Sequence, residues 1–426
     1  MKSHPSLEDI AAQLQGYDPQ SLAVNDVLSF LSHLVFPIQE TEEVGIFSAH
    51  GRVLACDVIS PLNVPPHDNS AMDGFAFDGA QLTQGHSLHL TVVGTALAGK
   101  AWQGQVGSGE CVKIMTGAIM PKGLNTVAPQ ELCRIQSDTD LEIPADLFQA
   151  GDNRRFCGED IAKGQAALLK GATITPAAAG LLASLGLSQV QVFRRLKVAY
   201  FSTGDEILSL GEAPREGAVY DSNRYTVHGL LQTLGCDMID LGVVRDEPLQ
   251  LETAFTQAAQ QADVIITSGG VSVGEADFTK AMMKKLGDVA FWKIAMRPGR
   301  PMAVGRITQG IRSAVLFGLP GNPVAVMVTF LAFVKPALLK MMGCPATPPL
   351  LIRARTQEVL RKKPGRTEYQ RGTVSRNAAG EMQVMTTGNQ GSGVLSSMVQ
   401  ANGLIVLSHS QSTAQTGDWV DVMLLD

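Results

Sequence analysis

Leu196-Lys197-Val198-Ala199-Tyr200-Phe201-Ser202-Thr203-Gly204-Asp205-Glu206 is an apolar run that stops abruptly in hydroxyls, a glycine and two acids. A run of this kind without polar alternation predicts a buried strand over 196–202. The theme repeats downstream. Apolar residues at helical spacing predict helices over 224–234, 249–262 and 278–286, and short apolar runs predict strands over 237–243 and 263–267. Further apolar segments at 289–294, 302–304 and 314–317 precede a long helix opening at Pro323. Strand alternating with helix predicts a parallel, doubly wound α/β sheet with helices on both faces, spanning 191–345.

The flanking segments follow other patterns. Apolar spacing predicts a helix within 21–34, and residues 1–20, with Pro5, Gly16 and Pro19, suggest a loose N-terminal extension. Between 60 and 162, short β-rich runs at 88–93, 110–115 and 141–143 are punctuated by Gly and Pro, the pattern of a small β-rich domain. Segments 21–59 and 163–190 are expected to form a mixed connecting domain whose first helix packs toward the α/β part. After Pro345, Pro348 and Pro349, strands are expected at 350–355, 367–374, 382–385, 404–407 and 419–425, giving a C-terminal β domain over 346–426. The expected fold class is therefore α/β plus β.

The chain has 426 residues, which at about 150 per domain predicts about three domains. With 34 Lys+Arg against 40 Asp+Glu the net charge is -6, so the whole chain is not an electrostatic trap for nucleic acid. Charged residues make up 17%, below the usual ~25%, which suggests surface buried in an oligomer. The six cysteines show no Cys-x-x-Cys and no clustering, which excludes a disulfide framework or zinc site and fits a reducing cytosol. No secretory signal is expected, because Asp, Glu and Gln interrupt the N-terminus. The most apolar stretch, 325–334, stops at Lys335-Pro336, about half of the ~20 residues a membrane span needs. A cytoplasmic protein with no membrane attachment is the expectation.

In an open parallel sheet, ligands bind outside the carboxyl ends of the strands, and several segments there are chemically unusual. Ser202-Thr203-Gly204-Asp205-Glu206 offers hydroxyls and carboxylates; its blander reading is a turn in which Asp205 caps a helix. Ser268-Gly269-Gly270-Val271-Ser272-Val273-Gly274-Glu275-Ala276-Asp277 opens with two glycines whose consecutive N–H groups suit a phosphate, while its acids call for a divalent cation beside that phosphate. Otherwise it is a glycine-rich turn with acids favouring the helix dipole. It is neither a GxGxxG fingerprint nor a P-loop, which disfavours NAD and ordinary ATPase chemistry. In Gly318-Leu319-Pro320-Gly321-Asn322-Pro323, Asn322 fits an N-cap and Pro323 the first helical turn. Lys293, Arg297 and Arg300 put three cations near one strand end, suited to an oxyanion, and Asp205, Asp246 and Asp277 could converge at the same sheet edge.

Asp68-Asn69-Ser70-Ala71-Met72-Asp73-Gly74, Met115-Thr116-Gly117-Ala118, Arg155 with Gly158-Glu159-Asp160-Ile161, the two segments beginning at Ser202 and Ser268, and Leu319-Pro320-Gly321-Asn322-Pro323 form a collinear set. Together they resemble the molybdopterin molybdenumtransferase family, which includes the gephyrin E domain. The resemblance covers about residues 21–426. It implies an elongated homodimer of four-domain subunits, with the active site between subunits. The substrates implied are adenylylated molybdopterin and molybdate, the cofactor Mg²⁺, and the products molybdenum cofactor and AMP. By motif, Asp73, Asp160, Glu206, Asp246 and Asp277 would be the functional acids, with Asp246 and Asp277 on the metal. Thr116, Arg155, Asp205, Gly269, Gly270, Ser272, Pro320 and Pro323 would contact or shape the substrate. Lys293, Arg297, Arg300, Arg366 and Ser392 would help hold molybdate, Arg366 and Ser392 through the segments 364–372 and 387–392. Positions 297 and 300 are usually Lys in the family and are Arg here, which alters the oxyanion geometry.

Two other readings stand beside this one. A similar α/β domain serves the preceding adenylylation step, which would consume ATP, and a separate adenylyltransferase could dock with this chain. A scaffold binding only pterin or a peptide would tolerate loss of Asp73, Asp246 and Asp277.

Overall fold

The computed structural model describes residues 5–271 and 278–425. Alternating strands and helices run through β1 (Lys197–Thr203), α1 (Ser222–Thr233), β2 (Asp237–Val244), α2 (Pro248–Gln261), β3 (Val264–Ser268), α3 (Phe278–Leu286), β4 (Gly287–Lys293), β5 (Pro301–Gln309), β6 (Arg312–Leu319) and α4 (Pro323–Met341). The strands form one sheet in the order β2-β1-β3-β6-β5-β4. Side chains alternate across a strand. Val198 and Tyr200 of β1 therefore pack on one face with Leu231 of α1 and Phe333 of α4, and Ala199 and Phe201 on the other with Phe255 of α2 and Met283 of α3. Both faces are covered, which is why the strands read as continuous apolar runs.

The sheet is mixed rather than wholly parallel. Strands β2, β1, β3 and β6 are parallel, β5 runs antiparallel to β6, and β4, antiparallel to β5, points the same way as the first four. Gln309 faces Arg312 across the β5–β6 pair, leaving only Gly310 and Ile311 in the turn. A two-residue turn can join only antiparallel strands, and residues 294–300 between β4 and β5 are too few for a crossover.

Helix α4 does not stop at Lys335-Pro336. Its winding widens to a π-helix over Phe330–Val334 immediately before Pro336, and that relaxation accommodates the proline ring and missing N–H. Among the described residues this is the one helix long and apolar enough to cross a membrane by length and composition, and 67% of its apolar window is buried within the protein. Val326, Phe330, Phe333 and Leu338 are fully buried.

The N-terminal segment is not a loose extension either. Ser6 and Asp9 form a capping box for the helix Leu7–Ala12, whose Ile10 is fully buried. Asp288 accepts the Leu7 N–H at 2.9 Å, and Arg306 donates to the Pro5 carbonyl at 3.0 Å. A second helix, Val24–Leu34, buries Val27, Phe30 and Leu34.

The described chain divides into two compact units. One takes residues from Met1–Glu42, Gly51–Ala55 and Val192–Asp426 and so contains the α/β sheet together with the C-terminal strands. Leu351–Thr356, Thr367–Arg376, Met382–Thr386, Gly403–Leu407 and Trp419–Leu424 pair in a closed circuit around Val374, Val384, Ile405 and Val422, a small barrel. Met296–Arg297 adds to the barrel strand Thr367–Arg376, so Arg297 is fixed by sheet pairing.

The other unit takes Glu43–His50 and Cys56–Gln191. It carries a six-stranded sheet in the order Thr126–Pro129, Gly74–Phe77, Glu110–Ile114, Leu88–Ala96, Asp140–Ile143 and Arg134–Ile135, and a helix Pro176–Ser184 capped by Thr175.

Candidate active site

At the carboxyl ends of β1, β3 and β6 lies a cleft of about 1030 Å³. Such a cleft is expected where crossovers leave β1 and β3 in opposite directions. Glu206 and Asp246 contribute carboxylates to its lining, Arg297 a guanidinium, and Pro320, Asn322 and Pro323 the start of α4. Thr279 donates its hydroxyl to Asp246 at 3.0 Å. Asn322 occupies the N-cap position of α4 but makes no side-chain capping bond, so its exposed amide remains in the cleft wall.

The glycines after β3 are there for space. Gly269 has φ +89°, and a Cβ there would stand 2.4 Å from the Thr203 carbonyl; Gly270 has φ +64°, and its Cβ would meet the Thr279 side chain at 2.5 Å. No L side chain fits either position. The expected phosphate nest is corrected in one respect: the Gly269 N–H donates to the Leu319 carbonyl at 3.1 Å, so it does not face a ligand. Ser272 and Asp277 lie outside the described residues.

Asp205 does not line the cleft and does not cap a helix. After Glu206 the chain re-enters a short strand, Ile207–Leu208, paired with Val219–Tyr220, and the helix begins only at Ser222. Its cap is Asp221, whose carboxylate accepts the Arg224 N–H at 3.1 Å.

The three cations expected at one strand end are divided between two places. Ile294 N–H bonds the Arg300 carbonyl at 2.7 Å, folding Arg300 back beside Lys293. Lys293 and Arg300 meet Arg366 around a second pocket of about 200 Å³, while Arg297 points into the main cleft. Glu368, nearly fully buried, holds Arg366 through bonds of 2.8 and 2.7 Å.

The barrel supplies the remaining wall through Gln390, Gly391 and Ser392. Ser392 accepts the Val324 N–H at 3.1 Å, tying this loop to the start of α4. Beneath it is Arg371, 1% exposed, which donates to the carbonyls of Asn389, Gln390 and Gly391 and to the Ser397 hydroxyl. Burial, and then the neighbouring Arg297 charge, push its pKa down. Among the described residues its guanidinium bonds no carboxylate, so its charge adds to the positive field of that wall. Arg371 lies within the segment 364–372, but no sequence signal separates it from Arg366; only burial does.

The second unit brings three sequence segments together by itself. Ser70 N–H bonds the Ala118 carbonyl, Gly117 N–H bonds the Ser70 carbonyl, Ala71 N–H bonds the Asn153 carbonyl, and Asp68 accepts the Cys157 N–H at 2.7 Å. Asp73 accepts both the backbone N–H and the hydroxyl of Thr116, at 2.6 and 2.8 Å, which holds its carboxyl below the usual range. Arg155 is paired with Glu159 at 2.6 Å. Asp160 is exposed, its backbone N–H on the Val64 carbonyl.

Comparison with known proteins divides the chain into three regions. Residues 22–186 match the MoeA N-terminal region (domain I and II), 199–340 a probable molybdopterin binding domain, and 353–425 the MoeA C-terminal region (domain IV). The chain is 43% identical over 394 residues to a molybdopterin molybdenumtransferase of Haemophilus influenzae, covering 92% of this chain and 95% of that protein. It is 32% identical over 420 residues to one of Nostoc sp., covering 97% and 95%. A solved molybdopterin biosynthesis moeA protein from Pyrococcus horikoshii OT3 superposes with a TM-score of 0.81 at 27% identity, covering 95% of this chain and 100% of that one. Three regions of one family thus match this chain in order, and the chain belongs to the molybdopterin molybdenumtransferase family.

Proposed function

We propose that this protein inserts molybdenum from molybdate into adenylylated molybdopterin, releasing AMP and forming molybdenum cofactor in a Mg²⁺-dependent reaction. The observation that carries the reading is the cleft itself, where Glu206 and Asp246 stand in one lining with Arg297 and Ser392. An anionic pterin phosphate and an oxyanion repel one another, so a site that joins them needs fixed cations as well as hard oxygen donors.

Arg297 and Ser392 receive the oxyanion in the cleft, and the pocket of Lys293, Arg300 and Arg366 gathers it beforehand. Arg371 keeps the Ser392 loop in register with the start of α4. Among the described residues no three His, Cys, Asp or Glu side chains converge as a metal cage. The donors present nevertheless fit magnesium, which takes one or two carboxylates and fills its shell with phosphate oxygens and water. Asp246 and Asp277 would hold it, and when bound it supplies neutralisation of the pyrophosphate charge. A water attacks the adenylyl phosphorus, the P–O bond to the pterin phosphate breaks, and AMP and the pterin phosphate separate. Attack by a molybdate oxygen instead gives an adenylyl-molybdate that water then cleaves to AMP and molybdate, and neither route needs a side-chain nucleophile. Asp73, Thr116, Arg155 and Asp160 take their roles from the family resemblance.

The reading includes a homodimer in the cytoplasm, four domains per subunit, and docking with a separate adenylyltransferase that hands over the adenylylated pterin. Purified protein given adenylylated molybdopterin, molybdate and Mg²⁺ should release AMP and yield cofactor that reconstitutes an apo-molybdoenzyme. Consumption of ATP without molybdate, or no AMP at all, would overturn it.

A further inference from the structure

Two buried oxygen atoms, on residues that line the main cleft, have no hydrogen-bond partner among the described residues. Asp221 is 4% exposed and Asn223 7%, and both line the cleft. Asp221 Oδ1 accepts the Arg224 N–H at the start of α1, but Oδ2 has no partner. The Arg224 guanidinium, the nearby cation, is committed to Asp240, with its Nε 2.9 Å from that carboxylate. Asn223 Nδ2 donates to the Gly321 carbonyl at 2.8 Å, which orients the amide and leaves Oδ1 unpaired. The adjacent hydroxyls of Tyr200, Ser202 and Ser268 bond one another at 2.8, 2.8 and 3.0 Å. Buried acceptors are almost always paired, so two together in a cleft call for a ligand that donates.

We propose that Asp221 and Asn223 recognise the pyrimidine half of the pterin, accepting hydrogen bonds from its 2-amino group and its N3–H. The inference rests on the proposed function, and it assigns the orientation of the substrate within the cleft. Phosphate and molybdate offer only oxygens and would be repelled by this carboxylate. Adenine offers one exocyclic amine flanked by ring acceptors. A 2-amino-4-oxopteridine presents two N–H donors side by side, one for Asp221 Oδ2 and one for Asn223 Oδ1, and the charge on Asp221 strengthens the first bond. The pterin ring therefore lies against the start of α1, and the anionic end of the substrate lies toward Arg297 and Asp246.

Asp221→Asn tests this directly, because asparagine caps a helix as well as aspartate while placing an NH₂ donor where Oδ2 stood. Fluorescence titration with 6-hydroxymethylpterin and with its 2,4-dioxo counterpart gives a discrimination ratio. Wild type should favour the 2-amino compound about tenfold or more, and Asp221→Asn should erase or reverse that preference. Asn223→Ala, read the same way, should reduce the ratio and serves if the first variant does not fold. A merely structural role would weaken both ligands equally, so an unchanged ratio overturns the inference. Molybdate-dependent AMP release by the same wild-type sample keeps the two readings apart. Turnover with an unchanged ratio, or turnover without binding of either pteridine, sinks only this assignment, whereas no turnover sinks the proposed function.

Discussion

The two glycines after β3 are the clearest case of a residue chosen by geometry. Gly269→Ala would drive a methyl to 2.4 Å from the Thr203 carbonyl at a positive φ. It should cost about 1–3 kcal/mol of stability, read as a lower urea midpoint, and should loosen the cleft floor; an unchanged midpoint would contradict the packing. Asp68 gives a pH prediction. Its carboxyl is held below its ordinary value first by the Cys157 N–H and also by Arg154. A depressed carboxylate stabilises above the unfolded pKa, near about 3.9, and that contribution fades only as pH falls through the lower folded value. Protection of the Cys157 amide against exchange should therefore persist to about pH 4 and decline below it; loss already near pH 6 would contradict the account. Sequence composition at strand ends was enough to single out Glu206, Asp246, Gly269 and Pro320. Asp221 and Asn223 escaped because they follow a polar loop well past β1, and nothing in their neighbours announces burial. The division of Lys293 and Arg300 from Arg297 depends on one backbone hydrogen bond that spacing does not reveal.

Among the elements, α3 spans the residues its apolar spacing suggested, and the parallel strands lie within a residue or two of theirs. Strand direction was harder to read, since a doubly covered strand is apolar throughout whichever way it runs. The short connections fix it, the two-residue turn at Gly310 and Ile311 and residues 294–300. The N-terminal helix is hard to read in the sequence because Pro5, Gly16 and Pro19 dominate that stretch, although Ser6 and Asp9 carry a capping signature. Ile10 is fully buried, so Ile10→Ala should destabilise the fold by about 2–5 kcal/mol in chemical denaturation. A change within about 0.5 kcal/mol, as expected of an unattached surface residue, would show that the helix is not part of the core.

For the whole molecule, the low charge content suits the proposed homodimer. Sedimentation equilibrium should return about twice 45.2 kDa, and a monomer at micromolar concentration would contradict the homodimer. The central claim is narrower: Glu206, Asp246 and Arg297, gathered in one cleft, couple adenylyl release to molybdate. The most direct test is AMP release titrated with molybdate in the presence of Mg²⁺, for wild type and for Asp246→Asn. Wild type should release AMP in proportion to cofactor formed, and the variant should bind pterin normally while losing about 100-fold in that rate. AMP release that ignores molybdate, or that survives intact in Asp246→Asn, would contradict the account.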